Sequence, residues 1–526
     1  MIFGLSLILI LAWILPLIAS VTKSIHMLQL NSYRNERYLL WMSRNRNKVF
    51  QKRSTLMIIP ILIGLFTNAH VTFISGIIIF VCLFLFRSRE VEKKKLVYTP
   101  RVKRLLTATF VLYGLLLIGA ISLYRFTGEI PMYSLLAISL VLAYYIVLLA
   151  NTMNKPIENR INEYYFNDAK NIIHSMKDLK VIGITGSFGK TSVKHFMHDI
   201  LASKFNVLMT PESFNTKLGV TRTIREKLKP YHDIFIAEMG AKQNGDVEEI
   251  CELVDQQYGV LTAIGEQHLE TFKSLENIKK TKYEIIETLP EYGLGILNKD
   301  DPNIMAYDPK NTCRKVFYGI EADDVDIKAK DITYSSKGME FTVLLRNGEI
   351  QSYRTKLLGK HNVYNILAGI SIGLELGMTL SDMVKPIRGL EPVSHRLELK
   401  RTTGNITIID DSFNSNPVGS KMAVDVLSSM EGFRMLVTPG MIELGEKEYD
   451  LNKAWAVYAA DKLDYIILVG KKQTIPLQDG LKEANFPEAK LYVAENLQDA
   501  IQQMHKVAQE KTIVLLENDL PDTFNE

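Results

Sequence analysis

The chain has 526 residues and a net charge of +4 at neutral pH, so it exceeds one ordinary domain and lacks the strong basic excess of a nucleic-acid-binding protein. Hydrophobic residues make up 47% of it and are most concentrated in the first 150 residues. The three cysteines, Cys82, Cys251 and Cys313, have no metal-ligand spacing, which argues against a disulfide framework or a zinc site and indicates free thiols in a reducing compartment.

Four uncharged segments in the first 150 residues are candidates for crossing a membrane. They are 2–21, 55–86, 105–124 and 131–150. Three of them have the ~20 residues that one helical crossing requires. The first lacks the basic start and the cleavage pattern of a removable signal peptide. The segment 55–86 is too long for one crossing and somewhat short for two, and Thr67-Asn68-Ala69-His70 interrupts its middle.

The distribution of basic residues predicts how these segments are oriented. The loops 22–54 and 87–104 each contain eight Lys or Arg, whereas 125–130 contains only Arg125. The positive-inside rule places both basic loops in the cytoplasm, which requires a hairpin at 67–70. We predict five crossings, an external N-terminus and a cytoplasmic remainder; with four crossings, one basic loop would lie outside. The stretch 24–53 is interpreted as a helix on an anionic leaflet or as a plain basic loop.

The remainder of the chain has the pattern of an α/β protein. From residue 178, β-branched runs alternate with helix-like stretches, which predicts a parallel sheet with helices on both faces. The first set of strand candidates is 181–184, 233–238, 259–264 and 295–298. Residues 325–356 contain short alternating runs around the turn at 346–348, which predicts an antiparallel insertion. A boundary near 390 precedes a second set of candidates, at 406–409, 434–438, 465–469 and 512–516. We predict a transmembrane region at 1–150, a linker at 151–177, a central domain at 178–390 and a smaller Rossmann-like domain at 391–526.

The segment GITGSFGKTS at 183–192 has the features of a phosphate-binding loop. It follows an apolar strand and precedes a predicted helix, so that backbone N–H groups of the turn and of the helix N-terminus face an anion. Lys190 adds a positive charge, and the Thr191 hydroxyl can reach a magnesium ion. A strict P-loop would have glycine where this chain has Ile184. The alternative is a glycine turn with an incidental lysine.

Three further segments place ionisable side chains where they can converge with this loop. Glu238 in AEMGAKQNGD ends an apolar strand, and His268 in EQHLETF follows the next strand. Because ligands of open α/β sheets bind at the carboxyl ends of strands, both are candidates for a magnesium site, and His268 also for a general base. Lys282 in TKYEII lies on a predicted helix. The alternatives are a surface glutamate, a structural histidine and a solvated lysine.

Two asparagine-containing segments complete the set. In GKHNVYNILAG at 359–369, Asn362 and Asn365 follow a glycine turn and are interpreted as contacts to an adenine edge or as helix N-caps. In IDDSFNSNP at 409–417, two adjacent carboxylates follow a strand and precede an asparagine-rich turn that ends at Pro417. These carboxylates are interpreted as ribose or metal contacts, or as parts of a capped turn.

These segments, in this order, resemble the Mur ligase family of ATP-dependent amide-forming enzymes of peptidoglycan synthesis. The resemblance covers roughly 178–526, and TG-x-x-GKT is the family's form of the phosphate loop. EMGA, HLE-x-F, GKHN-x-x-N and DDSFNSNP are most similar to the D-alanyl-D-alanine-adding ligases of the family. TPESFNTKLGV at 210–220 and MIELGE at 441–446 also resemble segments of those ligases.

The resemblance implies a role for each matching residue. It implies that Lys282 is carbamylated and that its added carboxylate supports a second magnesium ion. The implied catalytic residues are Lys190, His268, Lys282 and Asn215. The implied ATP-binding residues are Gly186, Ser187, Gly189, Lys190, Thr191, Ser192, His361, Asn362, Asn365, Arg396 and Asp411. The implied magnesium-binding residues are Thr191, Glu238, His268 and Lys282.

The chain departs from the family pattern in three places. Membrane-like segments replace the small N-terminal domain that binds the UDP end of the substrate. The family's GANH-x-GE reads GAKQNGD here, so that Lys242-Gln243 replaces Asn-His. The lysine-glycine-serine turn near the family's C-terminus appears as LLENDLPD at 515–522. These departures concern the substrate and leave the ATP chemistry untouched.

The resulting hypothesis is an ATP- and magnesium-dependent amide ligase, anchored in the cell membrane with cytoplasmic catalytic domains. It would add an amino acid or dipeptide to a UDP-linked or lipid-linked peptide of a cell-wall precursor through an acyl phosphate. Its partners would include membrane lipids but no nucleic acid. The alternatives are a ligase similar to poly-γ-glutamate synthases and a non-catalytic nucleotide sensor on the same fold.

Overall fold

The computed structural model describes residues 2–87, 95–212, 214–335, 338–357, 359–393, 395–401, 405–412 and 415–519. The chain divides into two compact units, one extending to Glu163 and the other comprising Tyr164–Asp519. The division falls within the long helix Ala143–Ser175, so the segment 151–177, predicted as a linker, is mostly continuous helix.

The N-terminal unit is helical. A short 3-10 helix at Lys52–Met57 accompanies its α-helices. The α-helices are α1 (Ile2–Leu30), α2 (Asn35–Arg44), α3 (Arg46–Val49), α4 (Ile58–Gly64), α5 (Ala69–Leu85), α6 (Pro100–Thr127), α7 (Glu129–Val141) and α8 (Ala143–Ser175), of which α8 continues into the second unit.

Among the described helices, two are long and apolar enough to cross a membrane, Gly4–Leu30 and Pro100–Thr127. A third candidate is the pair α7 and α8, which meet at a bend of 72°. The predicted interruption at 67–70 is confirmed, because α4 ends before it and Asn68 caps α5 by accepting a hydrogen bond from Val71 N. With 17 residues, α5 is about 26 Å long. The number of five crossings stays a prediction.

The basic stretch 24–53 contributes to the core of the N-terminal unit. Tyr38 and Trp41 on α2 are buried, and the Tyr38 hydroxyl lies 2.6 Å from Ser24 Oγ. The Trp41 ring stacks on Tyr144 with a centroid distance of 5.9 Å. Neither interpretation of 24–53, a helix on a lipid surface or a plain loop, describes these two aromatic residues, which pack inside the protein.

The second unit begins with a nine-stranded sheet. Its strand order is β2-β3-β1-β4-β5-β6-β7-β8-β9, parallel from β2 to β7 and antiparallel from β7 to β9. The predicted antiparallel segment is therefore confirmed, as an extension at one edge of the sheet. The strands are β1 (Lys180–Thr185), β2 (Val207–Met209), β3 (Ile234–Glu238), β4 (Tyr258–Leu261), β5 (Leu294–Asn298), β6 (Arg314–Gly319), β7 (Ile327–Ser335), β8 (Gly338–Leu345) and β9 (Ile350–Thr355).

Helices cover both faces of this sheet, as the α/β pattern predicts. Successive residues of β1 point to opposite faces, so Ile182 packs in one core and Val181 in the other. The helices are α9 (Lys190–Leu201), α10 (Lys217–Lys227), α11 (Asp246–Val254), α12 (Leu269–Phe272), α13 (Leu275–Glu287), α14 (Pro302–Met305), α15 (Lys360–Glu375) and α16 (Val384–Gly389).

A second, six-stranded sheet follows the predicted boundary near 390. Its order is β10-β11-β15-β12-β13-β14, and only the pairing of β10 with β11 is antiparallel. Its strands are β10 (Glu398–Arg401), β11 (Ile406–Asp411), β12 (Phe433–Thr438), β13 (Tyr465–Val469), β14 (Leu491–Ala494) and β15 (Thr512–Glu517). Its helices are α17 (Pro417–Ser428), α18 (Glu448–Ala460), α19 (Ile475–Glu483) and α20 (Leu497–Val507).

Candidate functional site

The phosphate loop joins β1 to α9 and requires glycine at two positions. Gly186 has φ +151°, and a Cβ atom there would lie 2.1 Å from Thr262 Oγ1. Gly189 has φ +82°, in the left-handed region that favours glycine. Ser187 fixes the loop to the segment after β4, since its hydroxyl donates to Gly265 O at 2.9 Å. The close approach at Gly186 shows that the turn requires glycine there, and the phosphate-binding role of Lys190 stays a prediction.

Lys190 begins α9 and folds back over the loop. Its Nζ donates to Gly186 O at 2.6 Å and to Ser187 O at 3.1 Å. Burial lowers the pKa of Lys190 to about 8, with Arg396 acting in the same direction and Glu238 opposing it. A phosphate in the loop would favour the charged lysine. Ser192 follows in the first turn of α9.

Glu238 is the last residue of β3 and collects donors from three directions. Its Oε1 accepts hydrogen bonds from Thr191 Oγ1 and Asn215 Nδ2, each at 3.1 Å. Its Oε2 lies 3.0 Å from Lys194 Nζ, and both side chains are almost fully buried. Although burial alone would raise it, Lys194 and Lys190 hold the pKa of Glu238 below its usual value. The alternative of a surface glutamate is wrong.

This arrangement fits a magnesium ion by the chemistry of its donors. Mg²⁺ prefers hard oxygen ligands, and a charged carboxylate and a hydroxyl lie 3.1 Å apart beside the phosphate loop. Sequence reasoning missed Lys194, which is fully buried and also donates to Glu212 O at 2.5 Å. Its spacing of four residues from Lys190 placed it on the same face of α9, which was the available signal.

His268 lies between β4 and α12, with a left-handed backbone (φ +53°). Its Nδ1 is hydrogen-bonded to Glu443, which comes from the smaller domain and was missed as a site residue. Burial lowers the pKa of His268, while Glu443 acts in the opposite direction. Although burial opposes it, His268 and Lys242 hold the pKa of Glu443 at about 2. With Nδ1 engaged, Nε2 is the ring atom that can bind a cation.

Lys282 lies on α13 and is 2% exposed, so the alternative of a solvated lysine is wrong. Burial, reinforced by the positive charge of Lys190, lowers the pKa of Lys282 well below its usual value. None of the hydrogen bonds found among the described residues involves its Nζ. A neutral amine is the form that reacts with carbon dioxide, so this environment supports the predicted carbamate, which stays a prediction.

Asn362 and Asn365 lie within α15 against the phosphate loop. Asn365 Nδ2 donates to Asn362 Oδ1 at 3.3 Å, and Asn365 Oδ1 lies 3.0 Å from the position of a Cβ on Gly189. The N-cap of α15 is Gly359, so the alternative that these asparagines are N-caps is wrong. Burial lowers the pKa of the neighbouring His361 to about 4. Contact of these three side chains with adenine stays a prediction.

Arg396 and Asp411 bring the smaller domain to the same site. Burial lowers the pKa of Arg396, whereas the negative charges of Asp411, Glu238 and Glu517 act to raise it. Acidic groups from both sheets therefore influence the pKa of Arg396. Asp411 Oδ1 accepts a hydrogen bond from Leu397 N at 3.2 Å. Burial raises the pKa of Asp411 to about 6, while Arg396 acts to lower it.

Glu517 was also missed, although it lies in the LLENDLPD departure from the family pattern. It is the register partner of Asp411 on β15 and is 1% exposed. Its Oε1 accepts hydrogen bonds from Ser415 and Ser420, each at 2.8 Å. Burial, followed by the charge of Asp411, raises the pKa of Glu517 well above its usual value. Ionisation of one of these two carboxyl groups therefore disfavours ionisation of the other.

The two adjacent carboxylates of IDDSFNSNP have different surroundings. Asp411 is influenced by the charge of Arg396, whereas Asp410 Oδ2 lies 2.5 Å from Lys400 Nζ and 2.8 Å from His395 Nδ1. With Glu398, His395 and Asp410 form a possible metal-binding group. Lys400 Nζ also lies 3.3 Å from Glu398 Oε2. Its positive charge therefore already balances both acids of this group. Alternation along a strand separates neighbouring side chains in this way.

Two protein-family models match the chain in the regions described above. The Mur ligase middle domain matches residues 184–373, and the Mur ligase, glutamate ligase domain matches residues 395–517. The first covers the phosphate loop and the asparagine pair, and the second covers Arg396, Asp411 and Glu517.

Curated relatives and solved structures resemble the same region. The UDP-N-acetylmuramoyl-tripeptide–D-alanyl-D-alanine ligase of Bacillus subtilis (strain 168) is 34% identical over 307 residues, covering 58% of this chain and 65% of the relative. The ligase of the same name from Escherichia coli (strain K12) is 32% identical over 325 residues, covering 60% and 72%. The crystal structure of MurF ligase from Thermotoga maritima in complex with ADP has a TM-score of 0.61 at 22% identity, covering 68% of this chain and 80% of that one. The chain thus spans 65% of the length of the Bacillus relative, and the structural likeness concerns the fold.

Proposed function

Because the chain belongs to the Mur ligase family, we propose that it is an ATP- and magnesium-dependent ligase that joins a carboxylate to an amine. The observation that carries this proposal is the cluster around Glu238. A phosphate-loop lysine, the Thr191 hydroxyl and a buried, charged carboxylate meet at the carboxyl ends of parallel strands. Such a cluster has the donors and the charge that a magnesium nucleotide needs.

The chemistry follows from the poor reactivity of a carboxylate. Transfer of the γ-phosphoryl group of ATP to a carboxylate oxygen releases ADP and gives an acyl phosphate, whose phosphate can leave. Attack by the amine forms the C–N bond, and loss of phosphate and a proton gives the amide. Lys190 and Arg396 would neutralise charge on the transferring phosphoryl group, and magnesium would supply further charge neutralisation there.

Lys282 has an environment suited to a second anionic ligand. Its neutral amine would attack carbon dioxide, forming an N–C bond and releasing a proton, to give a carbamate. That modification would replace the repulsion between Lys282 and Lys190 by attraction. It would place a carboxylate near His268, whose pKa Lys282 also influences. Under this proposal His268 and Lys282 act at one site, and Asn215, which donates to Glu238 at 3.1 Å, acts beside the first magnesium ion.

The names of the relatives indicate which substrates to test. UDP-N-acetylmuramoyl-tripeptide and D-alanyl-D-alanine occur in the names of both curated relatives, and we propose this pair as the first candidates. The experiment is release of ADP by the full chain in nanodiscs, with each substrate omitted in turn. ADP release that requires both substrates supports the ligase; ATP binding without it favours a nucleotide sensor, and turnover with glutamate oligomers favours the poly-γ-glutamate alternative.

We also propose that the N-terminal unit anchors the enzyme in the cell membrane, with the second unit in the cytoplasm. The support is the apolar character of Gly4–Leu30 and Pro100–Thr127 and the two basic loops. An anchor joined to the ligase domains favours an acceptor at the membrane, such as a lipid-linked peptide. The same nanodisc assay with soluble and lipid-linked acceptors side by side tests this. Full activity on the soluble acceptor alone would overturn the membrane acceptor.

A further inference from the structure

Glu443 joins two segments that are far apart in the sequence. It follows β12 in the smaller domain, whereas His268 follows β4 in the central domain. One Glu443 carboxylate oxygen accepts from His268 Nδ1, and the other lies 3.0 Å from Lys242 Nζ. All three side chains are partly screened from solvent, with 16% of His268, 28% of Glu443 and 37% of Lys242 exposed. Both oxygens of one carboxylate are thus used across the domain boundary.

The loop that carries Glu443 is held in a defined position. Asn452 on α18 is 3% exposed, accepts a hydrogen bond from Met441 N at 2.8 Å and donates to Met441 O at 2.9 Å. The next side chain after Glu443, Leu444, is buried in the core of the smaller domain.

Both residues of the contact have an unfavourable backbone conformation. Glu443 has φ +63° and His268 has φ +53°, although neither is glycine. A left-handed conformation at such residues costs on the order of 1 kcal/mol or more and persists where the surroundings enforce it. Two such residues that face each other across a domain boundary indicate a contact maintained for a purpose beyond local folding.

We propose that Glu443 is a positioning residue for His268, and that Lys242 holds Glu443 in place, so that closure of the smaller domain orients His268 toward a divalent cation. This inference rests on the magnesium-binding role in the proposed function. A carboxylate that accepts a hydrogen bond from Nδ1–H fixes the tautomer in which Nδ1 carries the proton. In that tautomer Nε2 has the lone pair that binds a metal. The orienting carboxylate comes from one domain and the histidine from the other, so the cation site is complete only in the closed arrangement.

Lys242 explains one departure of this chain from the family pattern. It occupies the asparagine position of GANH-x-GE, and its backbone N–H donates to Asp246 Oδ2 at 2.8 Å, which fixes the start of the turn. The side chain is thereby directed to Glu443. A lysine at this position adds a charge that attracts the smaller domain, which an asparagine lacks.

The test is the affinity of the full chain in nanodiscs for Mn²⁺, measured by electron paramagnetic resonance in the presence of ADP. For Glu443→Ala we expect binding weaker by roughly 10- to 100-fold, the range typical of lost outer-shell partners. Glu443→Gln, which keeps an acceptor but loses the charge, should have an intermediate effect, and Lys242→Met should weaken binding several-fold.

The matched control is Lys447→Met. Lys447 Nζ lies 2.5 Å from Glu266, and this pair also joins the two domains, but the lysine side chain is 61% exposed. Its loss should change Mn²⁺ affinity less than twofold. Thermal unfolding of every variant checks that Glu443→Gln and Lys242→Met remain folded.

Two further measurements separate the possible failures. If His268→Ala weakens Mn²⁺ binding but Glu443→Ala and Lys242→Met do not, the positioning role is overturned while the metal role of His268 stands. If His268→Ala has no effect on Mn²⁺ binding, both the metal role and the positioning role are overturned. Failure of the wild-type chain to release ADP with any acceptor would refute the ligase function, which the Mn²⁺ titration does not measure.

Discussion

Two acidic groups, the buried Glu238 and the partly buried Asp411, lie at the ends of parallel strands and have opposite electrostatic surroundings. Glu238 ends β3 in the central sheet, and Lys194 and Lys190 lower its pKa in spite of burial. Asp411 ends β11 in the smaller sheet, where burial raises its pKa to about 6. The neighbour of Glu238 is a buried lysine, whereas the register partner of Asp411 is a second buried carboxyl group, Glu517. The same strand position therefore gives a carboxyl group whose ionisation is favoured in one domain and a carboxyl group whose ionisation is disfavoured in the other.

The difference has a functional consequence under the proposed mechanism. A carboxylate that remains charged can hold a divalent cation throughout the reaction. In the Asp411–Glu517 pair, ionisation of one carboxyl group disfavours ionisation of the other, and Arg396 is a cation whose pKa both groups raise. Glu238 also influences the pKa of Arg396, and under the proposed mechanism Arg396 interacts with phosphates at the loop as well.

The largest effect is expected from Lys190→Ala on the Glu238 side. This substitution removes the positive charge above the phosphate loop and leaves the apolar cores unchanged. We expect ADP release to fall by about 1,000-fold or more, because electrostatic stabilisation of a transition state by one group is typically worth about 100- to 1,000-fold and Lys190 also binds ATP. Lys227→Ala, at an exposed lysine on α10, is the control. ADP release by the Lys190 variant at the wild-type rate would refute the phosphate-loop assignment.

A second large effect is expected from Lys282→Ala. If the side chain is a carbamate, its loss removes an anionic ligand, and we expect activity to fall by about 100-fold or more. Short-chain carboxylates added to the assay should restore part of the activity, because they supply the missing carboxylate. The control is Lys280→Ala on the same helix, at an exposed position. A crystal structure in which Lys282 points to solvent, away from the nucleotide, would contradict this role.

The buried ion pair predicts a coupled effect on stability. Glu238→Gln leaves Lys194 buried without its charge partner, and Lys194→Met leaves Glu238 with fewer cations. We expect each substitution to lower the free energy of unfolding by about 3 kcal/mol, as is typical when one partner of a buried pair is removed. The double variant should be more stable than the sum of the two losses implies, because it leaves no unpaired charge. Urea unfolding measures all four proteins, and strictly additive losses would contradict the pair.

The smallest effect is a pH dependence from the Asp411–Glu517 side. The folded-state pKa of Asp411 is about 6, above its unfolded value near 3.8, so the folded state binds the proton more tightly. The resulting stabilisation is present at low pH and is lost as pH rises through about 6, with Glu517 extending the loss to higher pH. We expect this term to be about 1–2 kcal/mol.

Glu517→Gln measures this term directly. The amide cannot ionise, so the free energy of unfolding of the variant should fall less than that of the wild type between pH 5.5 and 7.5. The control is Glu510→Gln, at an exposed residue that precedes β15. Parallel pH profiles for the wild type and Glu517→Gln would show that the two carboxyl groups do not share a proton.

Local patterns determined a large part of this protein. The strand-loop-helix arrangement around 183–192 is encoded by glycines and apolar residues within ten positions, so the phosphate loop could be predicted with its lysine and threonine. The positions of Glu238 and His268 could be predicted for a similar reason, since Glu238 ends a strand, His268 lies in the segment after the next strand, and parallel strands bring their carboxyl ends together. The interruption at 67–70 and the antiparallel segment after 325 were likewise visible in neighbouring residues. The short strands β2, β10 and β14 and the six-residue strand β6 lacked a distinct pattern and were not predicted.

Only the tertiary structure decided the partners of these residues. Glu443 is 175 positions from His268, and Glu517 is 102 positions from Ser415. The spacing of Lys194 from Lys190 indicated a shared helix face, but not that Lys194 is fully buried beside Glu238. Tyr38 and Trp41 belong to a basic stretch of the sequence, but they pack in the core of the N-terminal unit. Spacing along the chain determines local geometry. Burial and long-range pairing shift the pKa of each acid, and both arise only when distant elements pack together.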